Sequence, residues 1–126
     1  MTRQPARDQA LLALYAADMT GTEPDLTDLS ARARRYVEGT RRERNALDEA
    51  ISAVATGWRL ERMPAVDRNI IRLALFELRS GQTPIGVAIN EAVNLAKHYS
   101  TERSGAFVNG VLARLAAAGE TAGPEE

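Results

Sequence analysis

Residues 64–80 read PAVDRNIIRLALFELRS. Val66, Ile70, Ile71, Leu73, Ala74, Leu75, Phe76 and Leu78 recur with helical spacing and cover most sides of the helix they form. A helix that is apolar nearly all round belongs in the middle of a core. Pro64 suits the first helical position, where its missing N–H costs little, and Gly81 suits the position just past the end. The rest of the chain is therefore expected to wrap around this segment.

On the C-terminal side, Thr83-Pro84 starts a second helix, with Ile85, Ala88, Ile89, Ala92 and Ala96 along one stripe. Ser100-Thr101 opens the last helix, which fades after Ala118. On the N-terminal side, Ala6 to Met19 forms a helix with Leu11, Leu14 and Tyr15 on one face, ended by Thr20-Gly21-Thr22-Glu23-Pro24. Another runs from about Thr27 to Glu38 and stops at Gly39. Thr40-x-x-Glu43 is a capping-box pattern that opens a helix reaching about Thr56. Gly57 breaks it, and Arg59 to Met63 forms a short turn. No run with β period appears. The expectation is one all-α bundle of about six to seven helices over residues 1–118, with a flexible acidic tail over 119–126.

The chain has 126 residues, 44% of them hydrophobic and 26% charged, enough for a core without staples. It has no cysteine, which removes disulfides, thiolate nucleophiles and thiolate metal sites and fits a cytoplasmic setting. The polar opening does not read as a secretory leader, and no apolar run approaches the roughly 20 residues of a membrane span. His98 is the one histidine, so a zinc site is not expected and the residue reads as an ordinary, partly exposed helix-end histidine. Carboxylate pairs such as Asp48-Glu49 read as solvated surface, and Trp58 as a core anchor. There is no glycine-rich phosphate loop and no nucleophile elbow. No cofactor and no catalysis are expected.

The net charge of −1 argues against a general nucleic-acid coat, but cations cluster locally. Of sixteen basic residues only Lys97 is not arginine. Arg3 and Arg7 share a face at the front of the first helix. Six arginines fall between Arg32 and Arg44, diluted by Glu38 and Glu43, and read as solvated surface. In the last helix, Arg103, Gly110 and Arg114 fall on one strip with Phe107 on its border. Cations, a ring and bare backbone suit single-stranded nucleic acid. The same pattern suits a core ring beside a close helix contact, and core aromatics are far commoner. Asn109 falls on another strip with Ala106, Ala113 and Ala116, where it is expected to meet a neighbouring helix, with Asn90 as a possible amide partner.

Five groups of segments run in order along the chain: Ala6-Arg7 with Ala13-Leu14-Tyr15; Trp58 with Arg62-Met63; Val66-Asp67-Arg68 with Ile71-Arg72-Leu73-Ala74 and Phe76-Glu77-Leu78; Pro84 with Val87-Ala88-Ile89-Asn90-Glu91-Ala92 and Leu95-Ala96-Lys97; and Phe107-Val108-Asn109-Gly110-Val111-Leu112. Together they resemble the NusB family of transcription antitermination factors. INEAVNLAK followed by FVNGVL is the most specific part; residues 20–57 match only in helical character.

The resemblance implies a non-catalytic RNA-binding factor. It would bind boxA RNA of ribosomal RNA operon leaders together with NusE, a ribosomal small-subunit protein. The pair would join other Nus factors on RNA polymerase and suppress premature termination. It implies RNA contact at Arg3, Arg7, Arg103 and Phe107, with Tyr15 nearby, and a NusE-facing surface around Asp67. Arg114 follows from helical geometry. Gln4 and Pro5 stand where the family often has basic residues, and Arg103 stands where it can have an acid. Two other readings compete. One is a self-associating module whose arginine face is occluded in a homodimer. The other is the NusB-like part of a ribosomal RNA cytosine methyltransferase, expected to rank last because no cofactor-binding domain follows residue 126.

Overall fold

The structure is a computed structural model that describes residues 5–55, 57 and 59–121. Arg3, Trp58 and the tail from residue 122 lie outside the described residues. Among the described residues six helices follow one another: α1 Pro5–Thr20, α2 Ala31–Arg42, α3 Arg44–Val54, α4 Ala65–Ser80, α5 Ile85–Tyr99 and α6 Glu102–Ala117. A single 3-10 turn, Leu60–Arg62, precedes α4. No strand occurs among the described residues.

α4 is the centre, as its apolar girth requires, and it packs against each of the other five helices. Ile70, Ile71, Leu73, Leu75 and Leu78 are buried against Leu11 and Leu14 of α1, Val37 of α2, Leu47 and Ile51 of α3, and Val108, Leu112 and Leu115 of α6. Pro64 sits one position earlier than expected, as the residue flanking the first turn, and Gly81 closes the helix in the left-handed conformation at φ 75°.

The end of α2 and the start of α3 differ from the sequence expectation for one reason, and α2 also starts later than expected. α2 starts at Ala31, where the Ser30 hydroxyl accepts the Ala33 N–H at 3.1 Å. It then runs through Gly39 to Arg42. Gly39 does not end the helix; it is buried, and a Cβ built there would lie 2.1 Å from the Phe76 ring. The glycine serves close packing of α2 on α4. Thr40 is consequently inside α2 with a buried hydroxyl that has no hydrogen-bond partner, so the expected capping box does not form. α3 begins at Arg44 after a one-residue break at Glu43, with no side-chain cap.

At the other end, Gly119 is left-handed, its N–H donates to Ala116, and the Glu120 N–H donates to Leu115. This is a Schellman closure of α6. Glu120 also pairs with Arg79 of α4, so the first residues of the expected tail are tied to the bundle.

α4 brings polar groups into the core, and each recruits a neighbour. Arg72 grips Asp48 of α3 through two bonds of 2.7 and 3.1 Å. Asp48 is thus an anchor, not the solvated carboxylate expected; Glu49 beside it is exposed. Arg68 and Asn69 donate to Asp18 of α1 at 2.9 and 2.8 Å. Arg68 also donates to the carbonyls of Leu60, Glu61 and Met63, fixing the 3-10 turn. Burial pushes the Asp18 carboxyl up, but the bonds from Asn69 and Arg68, with the charge of Arg72, hold it below its ordinary value.

Gly39→Val should lower stability by about 1–3 kcal/mol, the usual cost of overpacking. Gly110→Ala should raise it by about 0.8–1 kcal/mol through helix propensity, because a Cβ at Gly110 meets nothing within 4 Å. Urea unfolding of the two variants checks the opposite signs.

Candidate nucleic-acid interface

The last helix is set by its cap. Thr101 accepts the Ser104 N–H at 2.9 Å, and α5 and α6 then form a hairpin joined by two residues. The close approach in that hairpin is made at Gly105, where a Cβ would lie 2.9 Å from Lys97 Cγ. Val108, Val111, Leu112 and Leu115 turn inward. Arg103, Ala106, Asn109, Gly110, Ala113 and Arg114 are exposed. The strip of Arg103, Gly110 and Arg114 therefore faces solvent, with half-buried Phe107 on its inner border, packed on the core.

Asn109 with Ala106 and Ala113 does not face a helix neighbour, because the contact made at Gly105 rotates that strip outward. Asn90 is exposed as well, so the expected buried amide pair is absent. Arg114 reaches the Val54 carbonyl at 3.4 Å, over the end of α3. His98 is exposed and sits edge-on to Tyr99 with ring centroids 4.6 Å apart.

Arg7 has a different situation. Its side chain is only 10% exposed. Nε donates to Glu77 Oε1 at 2.9 Å, and Nη2 bonds Glu77 Oε2. The guanidinium also lies 5.8 Å from the centroid of the Tyr36 ring. Burial opposes its charge, but Glu77, with Tyr36 and Glu91, more than compensates and holds it cationic. Arg7 thus clamps the first turns of α1 to α4. Burial, with the charge of Asp8, pushes the Tyr99 phenol up. Arg7 also lines a small pocket with Ala88, Ala92 and Leu95, which places the front of α1 beside α5. Tyr15 is half-buried two turns further along α1.

Asp67 is 3% exposed and its Oδ1 has no hydrogen-bond partner. Burial raises its pKa, partly offset by the Ser104 hydroxyl at the start of α6. A partner approaching this region would meet the residues around Asp67 before its carboxylate. Sequence reasoning missed Glu77 and Asp18, whose partners lie 70 and 50 or more residues away and leave no local signal.

The described residues thus form a helical bundle with two exposed arginines, an exposed glycine and a half-buried ring along one helix. Comparison with known proteins identifies its family. The NusB family model matches residues 27–117. The transcription antitermination protein NusB of Anaeromyxobacter dehalogenans is 46% identical over 127 residues, covering 90% of this chain and 89% of that one. Among solved structures, T. maritima NusB superposes with a TM-score of 0.82 at 36% identity, covering 93% and 92% of the two chains. A structure of antitermination factors NusB and NusE in complex with double-stranded RNA gives 0.80 at 30% identity, covering 90% and 95%. The chain belongs to the NusB family.

Arg7→Ala should lower stability by about 3–5 kcal/mol, since it strands a buried carboxylate, and thermal unfolding will show it. Asp67→Asn should raise stability at neutral pH. The native carboxyl has a raised pKa, so its contribution is fully present below the unfolded value and lost as pH rises through the folded value. The gap between variant and wild type should therefore shrink on acidification, read as Tm against pH.

Proposed function

We propose that this chain is a non-catalytic antitermination factor that binds boxA RNA of ribosomal RNA operon leaders together with NusE. The pair then joins other Nus factors on RNA polymerase in the cytoplasm and suppresses premature termination. The observation that carries the reading is the exposed strip of Arg103, Gly110 and Arg114 beside Phe107, in a chain whose relative was solved with NusE and RNA.

Arg103 and Arg114 supply phosphate contacts, Gly110 lets the backbone of the RNA approach, and Phe107 offers a ring edge for a base. Tyr15 extends this face along α1, and the family resemblance adds Arg3, which lies outside the described residues. Arg7 acts mainly by fixing that front, since its guanidinium is already engaged by Glu77. The surface around Asp67 receives NusE.

A second reading has one observation in its favour. Leu12 and Met19 are 50% and 58% exposed and share the outer face of α1. A homodimer covering that face would hide part of the RNA surface. Light scattering across concentration tests it, and a monomer at working concentration removes it.

Fluorescence anisotropy of a labelled boxA-like RNA, with and without NusE and against a scrambled RNA, tests the main reading. Selective binding strengthened by NusE is expected. Arg103→Ala should reduce the slope of log affinity against log salt by about 0.7, one phosphate of a single strand. Phe107→Leu, which keeps apolar volume, should cost about 1–3 kcal/mol of binding. Equal binding of both RNAs by wild type and variants would sink it.

A further inference from the structure

A cleft of about 360 Å³ lies away from the α6 strip, between α2, the end of α4 and the α4–α5 link. Arg32, Arg35 and Tyr36 form one wall, Phe76, Glu77 and Ser80 another, and Gln82 and Thr83 the rim. The size falls within the roughly 300–1,000 Å³ of small-ligand sites.

Two of the six arginines between 32 and 44 line it. Of the others, Arg41 pairs with Glu23, Arg44 pairs with Asp48, and Arg34 donates to the Leu26 carbonyl. Arg42 is exposed but lies outside the lining. Arg32 and Arg35 are exposed and enter no ion pair among the described residues. The one acid in the lining, Glu77, is neutralised by Arg7. The cleft thus keeps two uncompensated guanidinium groups one helical turn apart. Arg32 is held at the mouth by the Tyr36 ring, its Cζ 5.7 Å from the centroid. Guanidinium forks match phosphate oxygens in charge and in spacing.

The cleft also has a defined place relative to the α5–α6 hairpin. Arg7 touches its walls at Glu77 and Tyr36, and Arg7 also lines a small pocket with Ala88, Ala92 and Leu95 of α5. The cleft and the α5–α6 hairpin therefore flank the first turns of α1. We infer that the cleft formed by Arg32, Arg35, Ser80, Gln82 and Thr83 binds a phosphodiester of the same RNA strand that crosses the α6 strip. It extends the RNA path across the front of α1 and contributes affinity without reading bases. The inference rests on the RNA-binding reading above.

The test compares a short boxA-like RNA with the same RNA extended by six uridines at either end, both titrated by anisotropy. Wild type is set against Arg32→Ala/Arg35→Ala, and against Arg35→Ala alone, which leaves the Arg32–Tyr36 stack intact. The expected result is equal affinity of wild type and double variant for the short RNA. Extension should tighten wild type by about tenfold and steepen its salt slope by about 0.7 per phosphate held. Both gains should vanish in the double variant and weaken in the single one. If extension helps wild type and double variant alike, or neither, while the short RNA still binds, the cleft proposal is overturned and the α6 reading stands. If wild type fails to bind even the short RNA selectively, both are overturned. Weaker binding of NusE by the double variant in the absence of RNA would assign the cleft to an acidic protein surface instead and overturn it as an RNA site.

Discussion

A charge carried into a protein core needs its counter-charge there, and of the three ionisable side chains that α4 buries, Asp67, Arg72 and Glu77, the last two have one. Arg72 and Glu77 are each nearly as buried as the leucines around them. Breaking either pair would leave an ion in a low-dielectric interior, at a cost of about 3–5 kcal/mol. Apolar contacts between helices tolerate sliding, because one leucine ridge resembles the next. Ion pairs with two aligned bonds do not. Asp48 therefore fixes the register of α3, and Arg7 fixes that of α1. Asp18 pins α1 a second time, three turns along, through Arg68 and Asn69.

That double attachment of α1 has a functional consequence. The helix cannot rotate about its axis or shift along α4, so its front stays beside α5. The candidate RNA face is composite: it needs the front of α1 and the start of α6 to keep one spacing. Arg7 contributes to that face by holding α1 in place, with its own charge spent on Glu77. The exposed cations on either side, Arg103 and Arg114 on α6 and Arg32 and Arg35 on α2, retain their charge for a polyanion.

The bundle was legible in the sequence because its signals are local. The apolar girth of residues 66–78 marked α4 as central, and Thr101 marked the start of α6. Gly39 misled because a glycine that ends a helix and one that admits a neighbouring ring look alike in sequence; only Phe76, far along the chain, distinguishes them. The wheel of α6 placed Arg103, Gly110 and Arg114 together, and they are together. It could not orient the strip of Asn109, because Gly105 and not the small residues of that strip sets the contact with α5. Arg7 is the clearest case of hidden information. Its charge was evident, but its engagement by Glu77 is a tertiary fact, and so was the distinction between paired and unpaired arginines in the run from 32 to 44.

This last distinction resolves the tension between a net charge of −1 and a role at RNA. Net charge counts every arginine equally, whereas a phosphate responds only to those not already neutralised at short range. Arg7, Arg68 and Arg72 are consumed inside the bundle and Arg41, Arg44 and Arg79 by surface acids. Many acids are consumed with them, so the residual field is concentrated where arginines stand alone. A chain can then be slightly acidic overall and still present cations to a nucleic acid over a restricted surface. Such a surface contacts few phosphates. Its affinity for RNA of arbitrary sequence should accordingly be weak, which leaves selectivity to the ring, the backbone approach and the partner protein.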